Sequence, residues 1–115
     1  MERLFDLEAL KATLKKDKKD ALRVFEGERS VCGMRRLGPG EEGKAHVHPE
    51  ADEWLICLEG EGEYSLDRGL SAAIQAGQIG FAPAGAVHGV KNTGDQALVY
   101  IFFVGQPYKP VFIEP

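Results

Sequence analysis

Gly40-Glu41-Glu42-Gly43-Lys44-Ala45-His46-Val47-His48-Pro49-Glu50-Ala51-Asp52-Glu53-Trp54-Leu55-Ile56-Cys57-Leu58-Glu59-Gly60 is the stretch that decides how this chain folds. His46 and His48 are two residues apart, so on a strand both imidazoles leave from one face. Pro49 cannot donate to a strand ladder and ends the strand. The chain then turns through Pro49-Glu50-Ala51-Asp52, and a hairpin of this size brings Glu53 back beside His48. The third and last histidine, His88, comes from a distant stretch, Gly77 to Asn92, just after the turn Pro83-Ala84-Gly85. Three imidazole nitrogens and one carboxylate oxygen suit a divalent transition metal such as Mn, Fe, Ni or Zn. On an octahedral ion, four protein ligands leave two positions open.

Outward from this stretch the chain reads as many short strands. Fourteen glycines in 115 residues imply frequent tight turns. Strand patterns fall at 21–26, 29–37, 44–48, 53–59, 61–67, 70–75, 78–82, 86–92 and 96–104, with a turn-rich loop over 38–43 and at most one edge strand, 111–113, in the proline-bearing tail. So many short strands mean a sandwich or a barrel. The segments 54–58 and 97–104 are apolar at every position, which requires cover on both faces. Residues 1–20 carry the one helix candidate: Asp6 can cap it, Leu7, Leu10 and Leu14 repeat at helical spacing, and the run 15–19 places cations at its end. The domain expectation is therefore an N-terminal helical segment, 1–20, and one barrel domain, 21–115.

The two stretches resemble the two signature motifs of the cupin superfamily. The matching positions are Gly40, His46, His48, Glu53 and Gly60, then Gly77, Pro83, Gly85, His88 and Asn92. At roughly 5% usage per residue type, ten such agreements arise by chance on the order of once in 10^13 placements, so coincidence is excluded. The resemblance covers about residues 21–105 and implies an all-β double-stranded β-helix, or jelly-roll barrel; it says nothing about the N-terminal helix, which the expected fold adds as one short element. It also implies metal-ligand roles for His46, His48, Glu53 and His88. Asp52 and Glu50 are rival carboxylates next to Glu53. Gln78 stands where the family often has an aspartate.

Charge and composition narrow the function. The net charge of −4 disfavours nucleic acid, which needs a basic face. No apolar run approaches the ~20 residues of a membrane-spanning helix. The N-terminus lacks a cationic segment leading into an apolar one, so the expected location is the cytoplasm, with Cys32 and Cys57 unpaired. A divalent ion plus one carboxylate makes a cationic site, which favours small chelating or anionic molecules. Lys44 shares the face of His46 and adds a cation at the mouth. Leu55, Cys57, Ala86 and Val90 are the expected apolar wall. Of the adjacent Arg35 and Arg36, one points in and one out, with the phase open. The expected function is a metal-dependent enzyme of dioxygenase, isomerase or decarboxylase type. The alternative is a non-catalytic module that binds a small ligand or a metal. No further residue stands out as a dedicated general base. The two-faced apolar strand 97–104 and the tail Val111-Phe112-Ile113 predict a homodimer.

Overall fold

Alternating apolar residues in segments of two to eight build two five-stranded sheets rather than a helical core. The structure, a computed structural model, describes residues 3–16 and 20–113. One helix, α1 (Leu7–Lys16), precedes ten strands: β1 (Ala21–Glu26), β2 (Ser30–Leu37), β3 (Glu42–Val47), β4 (Glu53–Glu59), β5 (Glu61–Ser65), β6 (Ser71–Gln75), β7 (Ile79–Ala82), β8 (His88–Asn92), β9 (Leu98–Gly105) and β10 (Val111–Phe112). The first sheet runs β1-β2-β9-β4-β7 and the second β10-β3-β8-β5-β6, all antiparallel. Their inner faces meet across Leu37, Leu55, Cys57, Tyr64, Ile74, Val90, Leu98 and Tyr100. This is the all-β double-stranded β-helix that the motifs imply, with the one short helix of the expected fold. No helix among the described residues is long and apolar enough to cross a membrane.

Strand register assigns each side chain of the first sheet to a face. Val31, Val104, Glu53 and Ala82 form one inner row across β2, β9, β4 and β7. Gly33, Phe102, Leu55 and Gly80 form the next, and Arg35, Tyr100 and Cys57 the next. Gly33 is required there: a Cβ would lie 2.3 Å from the Phe102 ring. Arg36 pairs with Val99 and so faces outward, which settles the phase of the two arginines.

The outer face explains the second apolar surface of 97–104. Leu14 of α1 packs on Met34, Val99 and Ile101, with Leu10 beside it, so the helix covers half of that face. Asp6 Oδ1 caps the helix by accepting the Glu8 and Ala9 N–H groups at 2.9 and 3.4 Å. Lys11 pairs with Glu59 at 2.7 Å and ties the helix to the end of β4. The remainder of the cationic run, 17–19, lies outside the described residues. The other half of the face carries a row in direct register across all five strands, Phe81, Trp54, Phe103, Cys32 and Phe25, whose four aromatic side chains are partly exposed.

Several strand limits differ from expectation for local reasons. β3 starts at Glu42 rather than 44, because Glu42 and Gly43 already pair with Lys91 and Val90. β5 stops at Ser65 rather than 67, where a 3-10 turn over Asp67–Gly69 puts Arg68 at φ 62° and Gly69 at φ 72°. β8 starts at His88 rather than 86, because Ala86 N–H is taken by the Pro83 carbonyl at 3.0 Å in the preceding turn. Both cysteines are free. Cys57 is buried against the Glu59 and Gly60 carbonyls, 3.5 and 3.8 Å away, where burial pushes its thiol pKa up and keeps it unreactive.

Candidate metal centre

His46 and His88 pair directly across β3 and β8, and Glu53 opens β4 in the facing sheet. His48 sits one residue past β3, before the Pro49 turn. The four side chains converge: one ligand atom from each lies within 4.8 Å of all the others. His48 Nε2 is 2.9 Å and His46 Nε2 3.8 Å from Glu53 Oε1, while His88 Nε2 is 3.1 Å from Oε2. The rival carboxylates are elsewhere. Asp52 Oδ1 accepts the Ala84 N–H at 2.9 Å and pins the 83–85 turn, and Glu50 is exposed.

The donors fit a divalent ion. His46 Nδ1 lies 2.9 Å from the Lys44 carbonyl and His88 Nδ1 3.2 Å from that of Ala86. Each carbonyl holds a proton on Nδ1 and leaves the Nε2 lone pair aimed at Glu53. His88 Nε2 is buried and, although close to Glu53, makes no hydrogen bond. A buried nitrogen lone pair that faces no donor is the kind of group an ion satisfies. Burial by itself raises the Glu53 carboxyl pKa, but the three imidazoles that crowd it, His46, His48 and His88, outweigh burial and hold the group well below the usual carboxylate range. Burial opposes charge on His88 as well, yet Glu53 and the Ala86 carbonyl raise its pKa above the ordinary value.

The cluster opens into a cavity of about 90 Å³ lined by Arg35, Lys44, His46, Glu53, Tyr100, Phe102, Tyr108, Pro110 and Phe112. Lys44 is where its spacing placed it. The expected apolar wall is not: Leu55, Cys57 and Val90 fill the closed core, and Ala86 lines a separate surface groove. The inner rows taper from Glu53 into packed side chains, so the opening faces β9 and the tail instead. The tail's role escaped the sequence reading. β10 pairs with β3 at Val47 and His46, setting Phe112 5.6 Å from the His46 ring. Tyr108 lies 5.5 Å from His48 at 30°. Gln106 anchors the tail by donating to the Gly27 and Arg29 carbonyls and accepting the Tyr108 N–H. Tyr108, Pro110 and Phe112 alternate with period two, and this was the available signal.

A double-stranded β-helix with three imidazoles and a carboxylate converging at its mouth defines a class of small barrel with, among the described residues, one candidate metal centre. Residues 33–104 match the family described as Cupin domain, and the chain belongs to it. Among solved structures, a Klebsiella pneumoniae subsp. pneumoniae MGH 78578 protein with a double-stranded β-helix domain superposes with a TM-score of 0.86 at 26% identity, covering 100% of both chains. The protein TT1209 of Thermus thermophilus gives 0.79 at 32% identity, covering 90% of this chain and 97% of the other. An oxalate decarboxylase of Bacillus subtilis (strain 168) is 31% identical over 67 residues, which is 55% of this chain but 17% of that protein. The chain thus spans about one-sixth of that relative's length.

Proposed function

We propose that this cupin is a metal-dependent enzyme acting on a short carboxylic acid. His46, His48, Glu53 and His88 hold one divalent transition ion, of the Mn, Fe, Ni or Zn group, at the floor of the cavity. The observation that carries this is the convergence of three Nε2 atoms on one buried carboxylate, with His88 Nε2 left unpartnered. When bound, the ion supplies Lewis-acid polarisation of an oxygen ligand. The chain's own residues do the rest. Glu53 tempers the charge of the site, Lys44 draws an anion to the mouth, and Phe102, Pro110 and Phe112 exclude water. The Bacillus subtilis relative is an oxalate decarboxylase, which supports a small acid as the substrate class and cleavage of a carbon–carbon bond as the reaction type.

The test is metal reconstitution followed by turnover. Purified protein is stripped, loaded with manganese, iron, nickel or zinc, and incubated with oxalate and other short acids while carbon dioxide release and oxygen uptake are followed. About one ion per chain and metal-dependent turnover are expected. Absence of metal uptake ends the metal reading. Uptake without turnover of any acid makes the barrel a ligand-holding module instead.

We infer further that the protein is a homodimer, joined through the outer row of Phe81, Trp54 and Phe103. Trp54 is 51% exposed, with its ring 4.4 Å from that of Phe81, and α1 does not reach this half of the sheet. Contiguous apolar surface of this kind marks an interface. Light scattering should return about twice 12.6 kDa, and Trp54→Glu should return the single-chain mass. A wild type that scatters as one chain at micromolar concentration would refute the dimer.

A further inference from the structure

The cavity beside the metal cluster contains a cation that the metal reading leaves without a task. Register places Arg35 opposite Tyr100 on the inner face, so its side chain runs into the barrel mouth rather than to solvent. Among the described residues its guanidinium reaches one carboxylate, Asp20, at 4.0 Å, and Asp20 is mostly exposed. Its Nε is buried with no hydrogen-bond partner among the described residues. Gly43 on β3 makes room for it: a Cβ at that position would lie 2.9 Å from Arg35 Nη1 and 3.5 Å from Tyr100 Oη. The guanidinium and the Tyr100 hydroxyl therefore share the space above Gly43. Burial drives the Tyr100 pKa up to about 12 and Arg35 only partly offsets it, so Tyr100 stays a neutral hydroxyl that donates a hydrogen bond. The one carboxylate in the lining, Glu53, is already engaged by imidazoles. Arg35, Lys44 and the Tyr100 hydroxyl thus present donors to the same small space: Arg35 hydrogen-bonds Tyr100 and reaches exposed Asp20, but its buried Nε has no acceptor among the described residues.

We propose that Arg35 is a second anion-binding point in this cavity and that the ligand is a short dicarboxylate, one end at the His46, His48, Glu53 and His88 cluster and the other in the Arg35 fork. This rests on the metal reading above and narrows it. A guanidinium offers two parallel N–H groups to one carboxylate, a geometry that a lone ammonium cannot supply. Tyr100 adds a third donor, and Lys44 adds long-range attraction. The cavity of about 90 Å³ is far below the 300–1,000 Å³ of sites for drug-sized ligands, which limits the dianion to a few carbons. A purely structural Arg35, holding Tyr100 in place, would affect the melting temperature but not the discrimination between a diacid and its half-amide.

The experiment uses the full chain loaded with manganese and follows binding by calorimetry. The probes are malonate and succinate, each compared with its half-amide, malonamate or succinamate, which keeps one carboxylate and replaces the other with a neutral group of similar size. The wild type should bind at least one diacid about tenfold or more tighter than its half-amide, as charge-assisted hydrogen bonds require. Arg35→Met should bring that ratio to about one while manganese affinity, titrated separately, stays within about twofold, because Arg35 is not a ligand of the cluster. Arg35→Lys keeps a cation in place and loses the fork; it should retain an intermediate ratio, and it decides the question if the Met variant does not fold. A wild-type ratio near one overturns the second anion point while leaving the metal reading intact, and so does a wild-type ratio preserved in a folded Arg35 variant. A wild type that takes up no manganese overturns both.

Discussion

Replacing His88 by alanine should lower manganese affinity by at least about 100-fold while the barrel stays folded. His88 stands directly opposite His46 on β8, and the Ala86 carbonyl 3.2 Å from Nδ1 fixes its ring so that Nε2 faces Glu53. Loss of a group that only orients a ligand commonly costs 10–100-fold in affinity, so loss of a ligand costs at least the upper end of that range. The same imidazole sets the pH dependence. Glu53 and the Ala86 carbonyl raise the His88 pKa, so in the metal-free protein a proton occupies Nε2 to a higher pH than on a free histidine. An ion must displace that proton. Affinity should therefore climb with pH through the raised His88 pKa and level off above it, and His88→Ala should flatten the climb. A ligand present at 100 times its dissociation constant adds about 2.7 kcal/mol to stability, so the wild type should melt at a visibly higher temperature with manganese and the variant should not. A folded His88→Ala protein that binds manganese as the wild type does would remove His88 from the site.

The convergence of His46, His48, Glu53 and His88 was legible in the sequence because their spacing is tied to backbone geometry. Two residues separate side chains on one face of a strand, which delivers His46 and His48 together. A proline-led turn of four residues returns Glu53 to them. The strands were legible for the same reason, since alternation and glycine turns are local properties. What faces the ligands was not legible, because it depends on which strands pair across the sheet. Arg35 and Arg36 are adjacent, and only the register of β2 on β9, with Arg35 opposite Tyr100 and Arg36 opposite Val99, separates their faces. Likewise the wall expected from Leu55, Cys57, Ala86 and Val90 assumed that residues in phase with the ligands line the opening. Going inward from Glu53, those positions sink into the packed core, and the opening is walled by Phe102 and the tail. The apolar outer face of 97–104 did demand cover, but α1 supplies half of it, through Leu14 on Met34, Val99 and Ile101. A helix that docks on a sheet edge-on to its sequence neighbours leaves no periodic trace of which strands it touches.

Asn92→Ala should destabilise the fold by about 3 kcal/mol, a fifth or more of the 5–15 kcal/mol that holds a typical domain together. The residue is a motif position whose role no spacing discloses. Its side chain is fully buried and fully used. Nδ2 donates to the Leu37 carbonyl at 2.9 Å and to the Gln96 carbonyl at 2.8 Å, and Oδ1 accepts the Gly94 N–H at 2.9 Å. Its backbone is bound as well, donating to the Glu41 carbonyl and accepting the Gly40 N–H. The side-chain amide thus joins the end of β2 to the loop between β8 and β9, while the backbone of the same residue holds the loop before β3. Alanine leaves the buried Leu37 carbonyl without a partner, at about 1–3 kcal/mol, and strips the part-buried Gln96 carbonyl and Gly94 N–H of theirs, at less each because water reaches them. Asn92→Asp sharpens the test. An aspartate can still accept from Gly94, but it turns two donors into acceptors facing carbonyls and buries a charge with no cation beside it, so it should be at least as damaging as alanine. Urea unfolding of the metal-free proteins measures both. A loss below about 1 kcal/mol in either variant would mean that water replaces the amide and that the loops do not depend on it.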